Sequence, residues 1–253
     1  MRTNRRSAAF VVLIALVGAA PFALLAAAHA PAARAIVAGR LAQGAGAARA
    51  QQDNVHPISG RRFAGVMGFQ GADWLDRSER EAEEEPERAL DAIGIAAGST
   101  VADVGAGSGY MTVRLAARVG PAGRVYANDL QPEMLSLLRA RLQRTRLANV
   151  TLVQGAIDDP KLPASSLDLV LMVDVYHEFS QPQKMLRGIH SALKPGGRLV
   201  LLEYRKEDPS VPIRFEHKMS VAEAKLEVEA DGFRLARVSD VLAWQHILIF
   251  EKP

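Results

Sequence analysis

Three glycines at alternate positions, Gly105, Gly107 and Gly109, follow the apolar run Val101-Ala-Asp103-Val and precede Tyr110. Glycine lacks a Cβ, so such a turn adopts backbone angles closed to other residues and lets a ligand approach its amides. The spacing excludes a dinucleotide turn, because in G-x-G-x-x-G the third glycine would fall on Tyr110 or Thr112, depending on the frame. Asp103 stands two residues ahead of the first glycine. It suits a ligand with positive charge near the turn better than a pyrophosphate.

A second set, Asp174-Val-Tyr176-His177-Glu178-Phe179, directly follows an apolar run over 167–173. His177 is the candidate general base, since an imidazole accepts protons near neutrality, the alternative being a histidine that caps a helix or fixes the loop. Tyr176 could face a cationic ligand through its ring, or simply pack. Asp174 could bind a ligand or substrate, and Glu178 could pair with an arginine. A third set contains Glu203-Tyr204-Arg205 and then Arg214-Phe-Glu216-His217-Lys218. His217 and Lys218 could hold an acidic substrate group, the alternative being a surface histidine. Asp174, His177, Glu178 and His217 would form a metal site only if the fold brought them together. Their spacing is no ligand motif, so no metal is expected.

The elements that must position these residues follow from periodicity. From Thr100 the chain alternates apolar strands with helical segments, which predicts a parallel sheet covered by helices on both faces. Strands are expected over 101–104, 124–129, 149–154 and 167–173, with helices over 108–119, 132–146, 182–193 and about 221–231. The last two strands, 233–238 and 246–251, are joined by a loop too short for a crossover helix and should pair antiparallel. Ahead of this domain, 76–93 reads as a charged helix with a solvated polar face and with Leu90 and Ile93 turned inward. Phe63, Phe69 and Trp74 lie in a glycine-rich segment that could form a lid over the site, with Trp74 on the substrate, or cover an apolar face.

Asp103-x-Gly105-x-Gly107-x-Gly109 resembles the first motif of class I S-adenosylmethionine-dependent methyltransferases. Later segments extend the likeness over roughly residues 85–253. Arg124-Val-Tyr-Ala-Asn-Asp129 is a second strand ending on an acid about twenty residues past the turn, from where a carboxylate accepts hydrogen bonds from ribose hydroxyls. Leu193-Lys-Pro-Gly-Gly-Arg-Leu-Val-Leu-Leu-Glu203 matches the family's helix end, turn and fifth strand. The resemblance implies a Rossmann-like, mostly parallel seven-stranded sheet with one antiparallel C-terminal strand. It also implies S-adenosylmethionine as cofactor, bound by Asp103, Gly105, Ala106, Gly107, Gly109, Asp129 and Leu130. Many relatives carry Gly-Asp after the third strand, but here Gly155 precedes Ala156, which leaves the expected adenine contact to Asp158, Asp159 or backbone, with Asp158 the first choice. The implied activity is methyl transfer to an unidentified, small-molecule acceptor. A non-catalytic cofactor-binding protein and an isoaspartate-type protein methyltransferase are the alternatives.

The chain has 253 residues, 49% of them apolar, enough for one α/β domain with extensions. Its net charge of +3 invites a nucleic-acid partner, but residues 1–52 hold six arginines and no acid. Setting those six aside leaves 25 basic against 28 acidic residues, so no nucleic acid is expected. Arg2, Arg5 and Arg6 precede the apolar run 8–28, the order of a secretory signal or a membrane anchor. Ala28-His-Ala30 and Ala48-Arg-Ala50 are candidate cleavage sites. The expected layout is a signal peptide or anchor over 1–30, a flexible Ala/Gly/Arg linker over 31–52, a lid loop and charged helix over 53–93 and the methyltransferase domain over 94–253. A periplasmic or inner-membrane location facing the periplasm follows, or a cytoplasmic one if the start is miscalled. Cysteine is absent, so no disulfide or thiolate chemistry is available.

Overall fold

In the computed structural model, which describes residues 54–253, the apolar runs become a sheet of eight strands. These are β1 (Thr100–Val104), β2 (Arg124–Asp129), β3 (Val150–Gln154), β4 (Leu167–Val173), β5 (Leu193–Arg205), β6 (Lys218–Met219), β7 (Arg234–Ser239) and β8 (Gln245–Glu251). The spatial order is β3-β2-β1-β4-β5-β8-β7, with β6 pairing β5 outside that path. All pairs are parallel except those of β8, which runs antiparallel to both β5 and β7. This is the expected sheet with β6 added. The leader and linker expectations over 1–52 lie outside the described residues.

Alternation along β4 distributes its side chains to two cores. Val170 and Met172 join Met185, Leu186 and Ile189 on one face, while Leu169 and Leu171 join Leu90, Ile93 and Leu115 on the other. The central strands are therefore apolar at nearly every position, as a sheet covered on both faces requires. β5 carries an interruption: Leu193 pairs with Leu167 but Arg198 with Leu169, so Lys194-Pro-Gly-Gly197 bulges out of the ladder.

Seven α-helices are found among the described residues: α1 (Ala72–Leu75), α2 (Arg80–Glu84), α3 (Pro86–Ile93), α4 (Tyr110–Val119), α5 (Pro132–Thr145), α6 (Pro182–Ala192) and α7 (Val221–Glu229). Two differ from the periodicity. The charged helix expected over 76–93 is broken at Glu85, whose φ is 44°, because Pro86 has no amide and crowds the residue before it. Its polar face is not wholly solvated either: Arg80 and Glu84 are buried and paired at 2.7 Å. The helix after the glycine turn starts at Tyr110 rather than 108, since Gly109 is left-handed at φ 90°. α7 begins with a reciprocal capping box between Ser220 and Glu223.

The segment ahead of α1 is latched to the sheet domain by buried charge. Arg61 donates from Nε and Nη2 to both carboxylate oxygens of Glu227 on α7, at 3.0 and 2.9 Å, and from Nη1 to the carbonyl of His177 at 3.0 Å. Ala64 N–H donates to the same carbonyl at 3.1 Å. No described helix is long and apolar enough to cross a membrane.

Candidate active site

A cavity of about 760 Å³ opens at the carboxyl ends of β1, β2 and β4, where open α/β sheets bind ligands. The glycine turn forms one wall. Gly105 N–H and Ala106 N–H both donate to Asn128 O at 2.9 Å, which ties the turn to β2. Gly105 has φ 75°, and a Cβ there would lie 2.4 Å from Val175 Cγ2, so neither conformation nor space admits another residue. Gly107 N–H donates to Asp129 Oδ2 at 2.9 Å and Gln131 N–H to Oδ1 at 2.8 Å, fixing the carboxylate at the end of β2. Burial raises the Asp129 carboxyl, and the hydrogen bonds from these amides oppose the rise. Asp103 is almost fully enclosed and accepts from Thr112 Oγ1 at 2.6 Å; burial pushes its carboxyl up to about 6 against that hydrogen bond.

Beyond β4 the chain turns through Asp174, whose φ is 54°. Its Oδ2 accepts from Gln245 Nε2 at 2.7 Å, while Oδ1 is buried without a partner. Burial, then the nearby Glu84 and Glu203 carboxylates, hold this group well above the ordinary carboxylate range. An unpartnered buried acceptor on a ligand cavity is a place for a donor or a cation.

The next turn, Tyr176–Glu178, is organised by Glu203 at the end of β5. Glu203 is fully buried and accepts Tyr176 N–H at Oε1, 3.0 Å, and His177 Nδ1 at Oε2, 2.6 Å. With Nδ1 occupied, His177 presents Nε2, which lies 3.2 Å from His217 Nδ1. Burial and the neighbouring His177 lower the His217 pKa. Glu178 also lines the cavity, and burial raises its carboxyl to about 7, opposed by His177.

Most of the residues singled out in the sequence meet on this cavity: Asp103, Gly105, Ala106, Gly107, Asp129, Leu130, Asp174, His177, His217 and Trp74. Gly109 backs the turn, where a Cβ would meet Leu138 at 2.1 Å. Trp74 stands at the rim with the Arg77 guanidinium 3.8 Å above its ring. Phe63 lines the cavity, whereas Phe69 does not.

Three expectations are corrected. Tyr176 has no exposed surface and packs in the core edge-to-face with Phe179, because its neighbour His177 takes the cavity side of the turn. Lys218 lies in β6 with Nζ donating to Asp208 O at 3.1 Å, so it offers nothing to the cavity. Asp158 is partly exposed and paired with Lys184 at 3.1 Å; Ala156 and Ile157 line the cavity, so of the three expected sources the backbone is the one at hand. The metal expectation changes as well. Of the four residues considered, His177, Glu178 and His217 converge, with one ligand atom from each within 4.8 Å of the others, and Asp174 stands apart.

Sequence reasoning missed the task of Glu203 as partner of His177, although an acid closing β5 matches the acids near the ends of β1 and β2. It also missed Gln245 and Arg80, which carry no local signal.

Residues 101–197 match the family model described as a methyltransferase domain. That segment is a methyltransferase domain, and the chain is similar to S-adenosylmethionine-dependent methyltransferases. It is 32% identical over 118 residues to the ubiquinone/menaquinone biosynthesis C-methyltransferase UbiE of Enterobacter sp. (strain 638), an alignment covering 46% of this chain and 47% of that one. The chain thus spans about half the length of the curated relatives it matches. Among solved structures it is similar to a SAM-dependent methyltransferase from Aquifex aeolicus, at 29% identity and TM-score 0.71, covering 74% of this chain and all of that one. Similarity to an S-adenosylmethionine-dependent methyltransferase from Mesorhizobium loti, 18% identical with TM-score 0.53 over 73% of this chain and all of that one, shows the shared fold.

S-adenosylmethionine is the cofactor this family implies, and the residues present fit it. The glycine turn leaves a cradle that a Cβ at Gly105 would fill, Asp129 offers a carboxylate toward hydroxyl donors, and Asp174 Oδ1 awaits a cationic donor.

Proposed function

We propose that the protein transfers the methyl group of S-adenosylmethionine to a small, mainly apolar acceptor carrying one ionisable head. The observation that carries this reading is a single cavity joining the glycine turn and Asp129 at one end to the Glu203–His177–His217 line at the other. The cofactor supplies an electrophilic methyl on a sulfonium. The chain supplies position and proton management, and holding reactants in line accounts for much of the rate in such displacements. Asp129 takes the ribose hydroxyls, the side-chain-free surface of the turn at 105–107 packs against the body of the cofactor, and Asp174 takes its ammonium end, with the backbone at 156–157 beside the adenine.

Val66, Met67, Trp74, Phe179, Met185 and Ile213 give the cavity an apolar lining that favours an aromatic or alkyl body. His177, fixed by Glu203, receives the acceptor's ionisable group. The UbiE relatives are named for quinone biosynthesis, so hydroxylated aromatic rings belong in the acceptor panel. Export or anchoring through residues 8–28 is part of the same proposal, supported by Arg2, Arg5 and Arg6 ahead of the apolar run; fractionation of the full-length protein tests it.

Calorimetry tests the cofactor end. S-adenosylmethionine and S-adenosylhomocysteine are expected to bind at micromolar concentration and NAD not at all, with affinity falling about 100-fold in Asp129→Ala, the worth of two hydrogen bonds to a charged group. Tight NAD binding would defeat the reading. Incubation with methyl-labelled cofactor and cell extract identifies the acceptor.

A further inference from the structure

The acceptor end of the cavity holds a donor set that proton transfer alone does not explain. His177 Nε2 and His217 Nδ1 face each other at 3.2 Å. Two nitrogens bound to one tetrahedral zinc at about 2.0–2.1 Å each lie about 3.3 Å apart, so the rings already have the spacing of two ligands on one ion. Glu178 supplies a carboxylate, and the widest of the three separations is within 4.8 Å. Closing it needs at most about 1.5 Å of movement to reach zinc spacing, within the travel of the Glu178 side chain. Among the described residues no Lys or Arg forms an ion pair with Glu178, so its charge is free to balance a cation. Behind the set stands Glu203, fully buried and 2.6 Å from His177 Nδ1. A carboxylate on the far nitrogen is the arrangement that fixes a ligating histidine's tautomer and aims its lone pair.

We propose that His177 Nε2, Glu178 and His217 Nδ1 bind one divalent first-row transition cation of the zinc class, with an open position facing the cavity for the acceptor's oxygen or sulfur. Three protein ligands and a free position are the form of a catalytic rather than a structural ion site. An ion there lowers the proton affinity of a bound hydroxyl or thiol and fixes its place. The inference rests on the reading that the acceptor docks at this end, and it explains why two imidazoles and a carboxylate meet there.

The test uses the full chain, stripped with chelator and titrated with Co²⁺, whose visible ligand-field bands report coordination directly. One equivalent per chain is expected, displaced by Zn²⁺. His217→Ala and Glu178→Gln should each weaken Co²⁺ binding at least about 10-fold, and Glu203→Gln, which keeps all three ligands, about 10- to 100-fold. Calorimetric affinity for S-adenosylmethionine should remain unchanged in all three. Absence of stoichiometric Co²⁺ binding in the wild type, or binding unaltered in His217→Ala, overturns the ion site. Either result leaves the methyl-transfer reading intact while the cofactor still binds; loss of cofactor binding in the wild type would strike that reading instead.

Discussion

At the scale of the residue, Glu203 sets the geometry of the acceptor end. One carboxylate receives two adjacent donors, Tyr176 N–H and His177 Nδ1, so the imidazole has one orientation and its remaining nitrogen faces the cavity. His177→Ala is therefore expected to lower turnover by about 100-fold or more, on the scale of a positioned group that meets the acceptor directly, while cofactor affinity stays within about twofold by calorimetry. Asp103 makes a different prediction. Burial raises its carboxyl to about 6, above the ordinary carboxylate range, so the folded state holds the proton more tightly than the unfolded chain. The stability this contributes is present below about pH 4 and is lost as pH rises through about 6, on the order of 3 kcal/mol for a two-unit shift. Urea unfolding of the cofactor-free protein should show stability falling across that window, and Asp103→Asn should flatten the fall. An unchanged slope would remove Asp103 as its cause.

At the scale of the element, the glycine turn and the Tyr176–Glu178 turn are one mechanical unit. Val175, which opens the second turn, occupies the space where Gly105 would carry a Cβ. Gly105→Ala combines a left-handed backbone with that clash. It should destabilise the fold by about 1–3 kcal/mol and weaken cofactor binding together with turnover, read by thermal melting and calorimetry. The turn itself was legible in the sequence because glycine spacing is a local property and only backbone conformation is needed to read it. The break between α2 and α3 was legible in principle too, since Pro86 was in view, but the charge pattern of 76–93 masked it. Burial of Arg80 and Glu84 was not legible, because a charge run carries no sign of which charges meet a buried partner. Tyr204, whose hydroxyl lies 3.1 Å from Glu84 Oε1, supplies that contact from a distant strand.

At the scale of the whole molecule, the segment before α1 is part of the site's wall. Arg61 joins Glu227 on α7 to the carbonyl of His177, and Ala64 shares that carbonyl. Removing one partner of a buried ion pair leaves the other charged and unpaired, so Arg61→Ala should cost about 3–5 kcal/mol, measured by chemical denaturation. It should also reduce turnover more than cofactor affinity, because the support is lost under His177 rather than under the glycine turn. A loss confined to cofactor affinity would show that the segment supports the other end of the cavity.

The sequence by itself determined the strand–helix alternation, the antiparallel return at the end, the glycine cradle and the acid at the end of β2. Each depends on residue types within a few positions of one another. The meeting of His177 with Glu203 and His217, which stand 26 and 40 residues away, was decided only when β4 and β5 paired and the chain after β5 folded back. Packing decided in the same way between neighbours on one turn, sending Tyr176 into the core and His177 into the cavity. A short helical turn points successive side chains in different directions, and which one faces the ligand depends on what the rest of the chain places on either side.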